Sequence, residues 1–211
     1  MRTVDRSLTL LMPWRALVLV TALLLCACTT SSSRRSAEIE IEGNRGFTIT
    51  EQVRLSSTSK SEFKKALRLL EEERYEDGIE LLESVTKAAP DATAAHIDLG
   101  IAYRLAGDFE KAEASLSSAL ELNPRHPVAH NELGIVYRKT GRFQEARESY
   151  ERALAVYGDF HFARRNLAIL CDVYLGDMAC AVKHYERYAQ VMPDDENVAI
   201  WIADLRNRMG R

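Results

Sequence analysis

The residues of this chain best equipped for chemistry are four cysteines and five histidines, and their spacing decides which chemistry they could do. Cys26 and Cys28 stand one residue apart in "LLLCACTTSSSRRS", where an apolar run gives way to a serine-rich tract. Cys171 and Cys180 lie together much further along. Two sulfurs with no histidine placed beside them leave a metal's coordination unfilled. Of His96, His126, His130, His161 and His184, only His126 and His130 are four apart. Pro127 intervenes there and breaks the shared helical face that a metal pair needs. No G-x-S-x-G, H-E-x-x-H or glycine-rich phosphate loop occurs. The expectation is therefore a chain with no catalytic residues, no metal and no cofactor.

Composition narrows the partners. The chain has 211 residues, enough for one medium domain plus something extra. Its 46% apolar and 28% charged residues are ordinary globular values. A net charge of −3 offers no basic surplus to a phosphate backbone, so nucleic acid is not an expected partner. Arg2, Arg6 and Arg15 precede the ten-residue apolar run Ala16–Leu25, which is too short to span a bilayer and suits a signal-peptide core. In "LCAC", Leu25 stands three residues before Cys28 and small Ala27 directly before it. This resembles the bacterial lipoprotein box, which implies cleavage before Cys28 and acylation of its thiol. Cys26 does not fit that place, because bulky Leu25 would precede it. Thr29 stands where the family's inner-membrane signal would have aspartate, which implies the outer membrane. An ordinary secretory signal and an uncleaved anchor are the alternatives.

After the leader at 1–27, residues 28–58 read as a tether with a short arm. Thr29–Ser36 lacks apolar residues. Ile39 and Ile41 then alternate with glutamates, and Phe47 and Ile49 follow across a "GNRG" turn signal. A hairpin or a disordered arm both fit. From Ser59 the chain repeats itself. Leu99, Gly100, Tyr103, Gly107, Phe109, Ala112, Ala119 and Leu120 recur 34 residues later as Leu133, Gly134, Tyr137, Gly141, Phe143, Ala146, Ala153 and Leu154. Small residues at Gly100, Ala112, Gly134 and Ala146 let the two helices of a hairpin approach closely. Gly107 and Gly141 end first helices, and Pro124 closes a second one.

That period and pattern resemble the tetratricopeptide repeat (TPR). The resemblance implies an all-α fold, a TPR solenoid: a right-handed superhelix of helix-turn-helix repeats. The spacing places repeats at 59–92, 93–126, 127–160 and 161–195, the first divergent and the last with one extra residue before Gly176. Tyr188 also occupies a position where the pattern expects alanine. Residues 196–211 read as a capping helix, with Asp194 or Asp195 as its N-cap and Val198, Trp201, Ile202 and Leu205 at helical spacing. Cys171 and Cys180 then face each other across the turn of the fourth hairpin. They are either a disulfide, closing a loop worth ~2.5 kcal/mol by chain entropy, or two free core thiols. His96 and His130 occupy one repeat position and read as packing residues.

By the same resemblance, first helices line a concave groove. Its inward positions would be Ile97, Ile101, Arg104 and Leu105, then Asn131, Ile135, Arg138 and Lys139, then Phe162, Arg165, Asn166 and Ile169. Such a strip suits an extended or helical peptide, with asparagines bonding its backbone and Arg or Lys meeting its carboxylates. Simple solvation of those arginines is the alternative. The stretches "GFTITEQVRL", "NPRHPVAHNELGIVYRKTGRF" and "HFARRNLAILCDVYLGD" resemble TPR lipoproteins described as components of TonB-type energy-transducing systems, found alongside ExbB- and ExbD-like proteins. The expected role is a lipid-anchored periplasmic scaffold for a protein or peptide partner in the bacterial cell envelope, with no small-molecule substrate. A pilus-assembly or secretin pilotin-type TPR lipoprotein is the alternative, and an enzyme or metal protein a third.

Overall fold

The computed structural model describes residues 38–41, 46–50 and 53–210. The leader, Cys28, the serine-rich tether and residues 42–45 between the two strands lie outside the described residues.

Strands β1 (Glu38–Ile41) and β2 (Phe47–Thr50) pair antiparallel, with Ile39 opposite Ile49 and Ile41 opposite Phe47. Directly opposed residues share a face, so these four apolar side chains form one side of the ribbon. Of the two forms the sequence allowed for the arm, the structure adopts the hairpin.

Nine helices follow among the described residues: α1 (Ser57–Glu71), α2 (Tyr75–Ala88), α3 (Thr93–Ala106), α4 (Phe109–Leu122), α5 (Pro127–Lys139), α6 (Phe143–Val156), α7 (His161–Ile169), α8 (Met178–Val191) and α9 (Asn197–Met209). Each first helix ends on a left-handed residue: Gly107 at φ 87°, Gly141 at 79° and Gly176 at 66°. In the divergent first repeat Glu73 takes that place at φ 58°, a conformation that costs a side chain ~1–2 kcal/mol. Second helices start in one of two ways. Asp108 and Asp177 accept from the backbone N–H of Lys111 and Cys180, at 3.1 and 3.0 Å. Arg74 and Arg142 instead pair with Asp77 and Glu145 one turn on.

A ladder of large against small residues spaces the hairpins. Leu82, Leu116, Tyr150 and Tyr185 recur along the second helices and are all buried. Ala66, Gly100, Gly134 and Ala168 hold the matching positions of the first helices. A Cβ on Gly134 would come within 2.5 Å of the Tyr150 ring, and one on Gly100 within 2.6 Å of Leu116. First helices of successive repeats, α1 with α3, α3 with α5 and α5 with α7, also touch one another. They form the inner layer of an all-α solenoid.

The extra residue of the fourth repeat is absorbed as a π-helical segment, Leu170–Leu175, that continues α7. A wider turn accommodates one residue without ending the helix. The segment carries Cys171, whose sulfur is joined to that of Cys180 at 2.06 Å, with Cα atoms 5.9 Å apart. Tyr188 is buried, and its hydroxyl donates to Asp195 at 2.7 Å. The capping helix starts later than the sequence suggested. Glu196 precedes it without a side-chain cap, while Asp195 accepts from the Asn197 N–H at 3.2 Å. Val198 and Leu205 are buried beneath it, and Trp201 meets Tyr185 at 5.3 Å.

Candidate functional site

The 34-residue period places equivalent residues side by side on the inner layer. Asp98, Glu132 and Asn166 form one row, Ile101, Ile135 and Ile169 another, and Arg104 and Arg138 a third. These rows are tied across repeats by a polar chain. Arg104 Nε donates to Glu132 Oε2 at 2.9 Å. Asn131 Nδ2 donates to Glu132 Oε1 at 3.1 Å, and Asn166 Nδ2 donates to Asn131 Oδ1 at 2.9 Å. Glu132, Asn131 and Asn166 are all buried. The asparagines expected to bond a partner's backbone therefore first bond the fold itself, because α5 and α7 lie close enough for the amides to meet.

Beside this chain lies a groove of about 450 Å³ between α5 and α7. Asn131 and Ile135 line one wall, Phe162, Arg165 and Asn166 the other, and Phe47 of β2 also lines it. Arg165 lies within electrostatic reach of Asp195 and Tyr188. Five of the expected groove residues are thus brought together: Asn131, Ile135, Phe162, Arg165 and Asn166. Arg104 is neutralised by Glu132. Arg138 is held between tyrosines, 3.4 Å from the Tyr150 hydroxyl and 5.7 Å from the Tyr174 ring centre. Ile101 packs against the core, and Lys139 is exposed away from the lining. Ile97 is a correction. It is 4% exposed, closed over by the core cluster that runs from Ala66 to Val136. In the next two repeats that position, as Asn131 and Arg165, lines the groove.

Sequence reasoning passed over Asp98 and Glu132, although their shared repeat position was visible. Burial, with a smaller push from Glu132, raises the Asp98 carboxyl to about 6. Burial also raises Glu132, against the opposing pull of Arg104. A carboxylate raised on folding contributes stability below its unfolded value, near 3.8 for Asp98, and loses it as pH rises through about 6. Asp98→Asn is therefore expected to stabilise the protein at pH 7 by about 1–2 kcal/mol, with no gain at pH 4. Urea midpoints at the two pH values check this.

The histidines have structural partners. Ring nitrogens of His96 and His130 lie 3.1 and 2.9 Å from the carbonyl oxygens of Pro90 and Pro124. His126 Nδ1 accepts from the Ala129 N–H at 3.4 Å, capping α5. Cys171, Asp177 and Cys180 gather their ligand atoms closely, but the two sulfurs are spent on each other.

Tandem helical hairpins with small residues at their crossings and a groove on the inner layer define a helical-repeat protein. The chain belongs to the tetratricopeptide-repeat family, whose model matches residues 63–127, 98–159 and 131–196. No curated protein sequence matches it. Among solved structures it is similar to PilF of Pseudomonas aeruginosa, at 19% identity and a TM-score of 0.66 over 72% of this chain and 68% of that one. It is also similar to a thermophilic TPR protein of Thermus thermophilus, at 23% identity and 0.61 over 70% and 80%. MamA of Desulfovibrio magneticus RS-1 aligns at 17% identity and 0.65 over 74% and 88%. At these identities the likeness is one of fold. TPR proteins bind protein partners, and this chain has the scaffold for that.

Proposed function

We propose that this protein is a lipid-anchored scaffold of the bacterial cell envelope that holds an extended segment of another envelope protein in the groove between α5 and α7. The observation that carries the reading is the groove itself. Ile135 and Phe162 supply apolar wall, Arg165 supplies a cation, and the Glu132–Asn131–Asn166 chain fixes the floor. A floor whose hydrogen bonds are already made holds its shape before the partner arrives, which lowers the ordering cost of binding. Anchoring through Cys28, on the outer-membrane face toward the periplasm, rests on the "LCAC" stretch and Thr29. Service to a TonB-type system rests on the resemblance of the stretches quoted above.

The test is co-purification from crosslinked envelopes, comparing the full chain with its Ile135→Ser/Arg165→Glu variant. At least a tenfold loss of one specific partner is expected from a variant that stays folded, as its circular dichroism checks, although Ile135 also packs against the core and its loss lowers the melting temperature. Undiminished recovery of that partner would remove the groove from the account. Cys28→Ala is expected to abolish palmitate labelling and release the protein from membranes; persistent labelling would refute the anchor.

A further inference from the structure

The groove reading leaves Phe47 unaccounted for. It belongs to no repeat, yet its ring sits edge-on against Tyr157 at 5.3 Å and Phe160 at 5.4 Å, with interplanar angles of 67° and 85°. Phe160 in turn meets Phe162 at 5.8 Å. Tyr157 and Phe160 lie in the connection from α6 to α7 and are buried, while Phe162 is 51% exposed. The three rings make an aromatic notch in the groove, which Gly46 and Phe47 also line.

Ile41, opposite Phe47 on the same face, is 52% exposed. Among the described hairpin residues only Phe47 packs against a core cluster. A two-stranded ribbon is marginal on its own in water, and the Phe47 ring ties the arm to the solenoid. An extended strand that places one aromatic side chain into a groove is also the geometry of a bound peptide.

We infer that the Tyr157–Phe160–Phe162 notch reads an aromatic side chain on an extended segment of the partner, and that Phe47 is its intramolecular stand-in, displaced when the partner binds. This rests on the groove reading and adds to it the partner's chemistry. Edge-on ring contacts favour an aromatic over an aliphatic side chain of similar size. A short tether presents Phe47 at an effective concentration of about millimolar, so the arm competes with the partner. Entry is then open to segments that bring their own aromatic residue and closed to weaker ones.

The test uses the full chain and a fluorescent peptide of the arm's own sequence, GFTITEQVRL. Anisotropy titration is expected to show the peptide binding the Phe47→Ala protein at least tenfold tighter than the unsubstituted one. Phe47→Leu, which fills the notch without an edge-on ring, is expected to fall between them. A peptide with alanine for its phenylalanine is expected to bind none of the three. Equal affinities for the three proteins, or equal binding of the two peptides, would overturn the inference. Loss of folding in both Phe47 variants would make Phe47 a structural staple and overturn it as well. A partner that is lost with Ile135→Ser/Arg165→Glu but responds identically to every Phe47 variant would remove the notch and leave the groove standing.

Discussion

Gly134→Val is expected to lower folding stability by about 4 kcal/mol, the scale of expelling a buried aromatic ring. Even a single Cβ at Gly134 would stand 2.5 Å from Tyr150 Cε1 and 2.7 Å from Cδ1. The ring cannot retreat, because Tyr150 is fully buried with its neighbours packed around it. Valine's better helix propensity returns only a few tenths of a kcal/mol. The first repeat shows what relieves the clash. There leucine, as Leu82, holds the position of Tyr150, and the position of Gly134 carries a side chain, as Ala66. Tyr150→Leu in the Gly134→Val background is therefore expected to be less damaging than the two single losses added together. Urea denaturation with a shared slope checks both values. A deficit under about 1 kcal/mol for Gly134→Val would mean the helices do not cross where the structure places them.

Arg104→Met is expected to cost about 3 kcal/mol at pH 7, the penalty of leaving one buried charge without its partner. The two side chains are only 19% and 11% exposed, so solvent does little to replace the lost guanidinium. Asn131 still donates to Glu132 at 3.1 Å, which keeps the estimate at the low end. The pH dependence follows from the sign of the Glu132 shift. Burial already holds its carboxyl above the usual 4.5, and the Arg104 guanidinium pulls it the other way. Without Arg104 the folded value rises further. A raised carboxylate contributes stability below its unfolded value and loses it as pH rises through the folded one. The variant's deficit is thus expected to be largest at neutral pH and to shrink as pH falls toward 4.5. Arg104→Met/Glu132→Gln is expected to recover most of the loss at pH 7. Equal deficits at pH 7 and pH 5 would contradict the pairing.

Much of this was legible in the residues because the fold is periodic. One shift of 34 aligned Gly100 with Gly134, carried Pro124 back to Pro90, and exposed the extra residue before Gly176. What that residue does was not legible. A π-helical segment and a broken helix have the same length in sequence, and the choice between them is made by packing around Cys171. The groove was half legible. Asn131, Ile135, Arg165 and Asn166 follow from the repeat, since each sits at a position the period fixes. Arg104 was misjudged as available to a partner, because its ion pair with Glu132 reaches across 28 residues. Ile97 departs from the pattern because a position that lines the groove in two repeats belongs to the core cluster in a third. Phe47 lies outside any repeat, so no periodic argument could have brought it to Tyr157 and Phe160.

The central claim is that a partner is held on the inner layer, and site-specific photocrosslinking in intact envelopes tests it most directly. A photoreactive residue is placed at Phe162 on the groove wall, or at Arg152, whose side chain is 66% exposed on α6. The account predicts one discrete crosslinked partner at position 162, lost with Arg165→Glu, and none at 152. The same partner captured equally from both positions would contradict it.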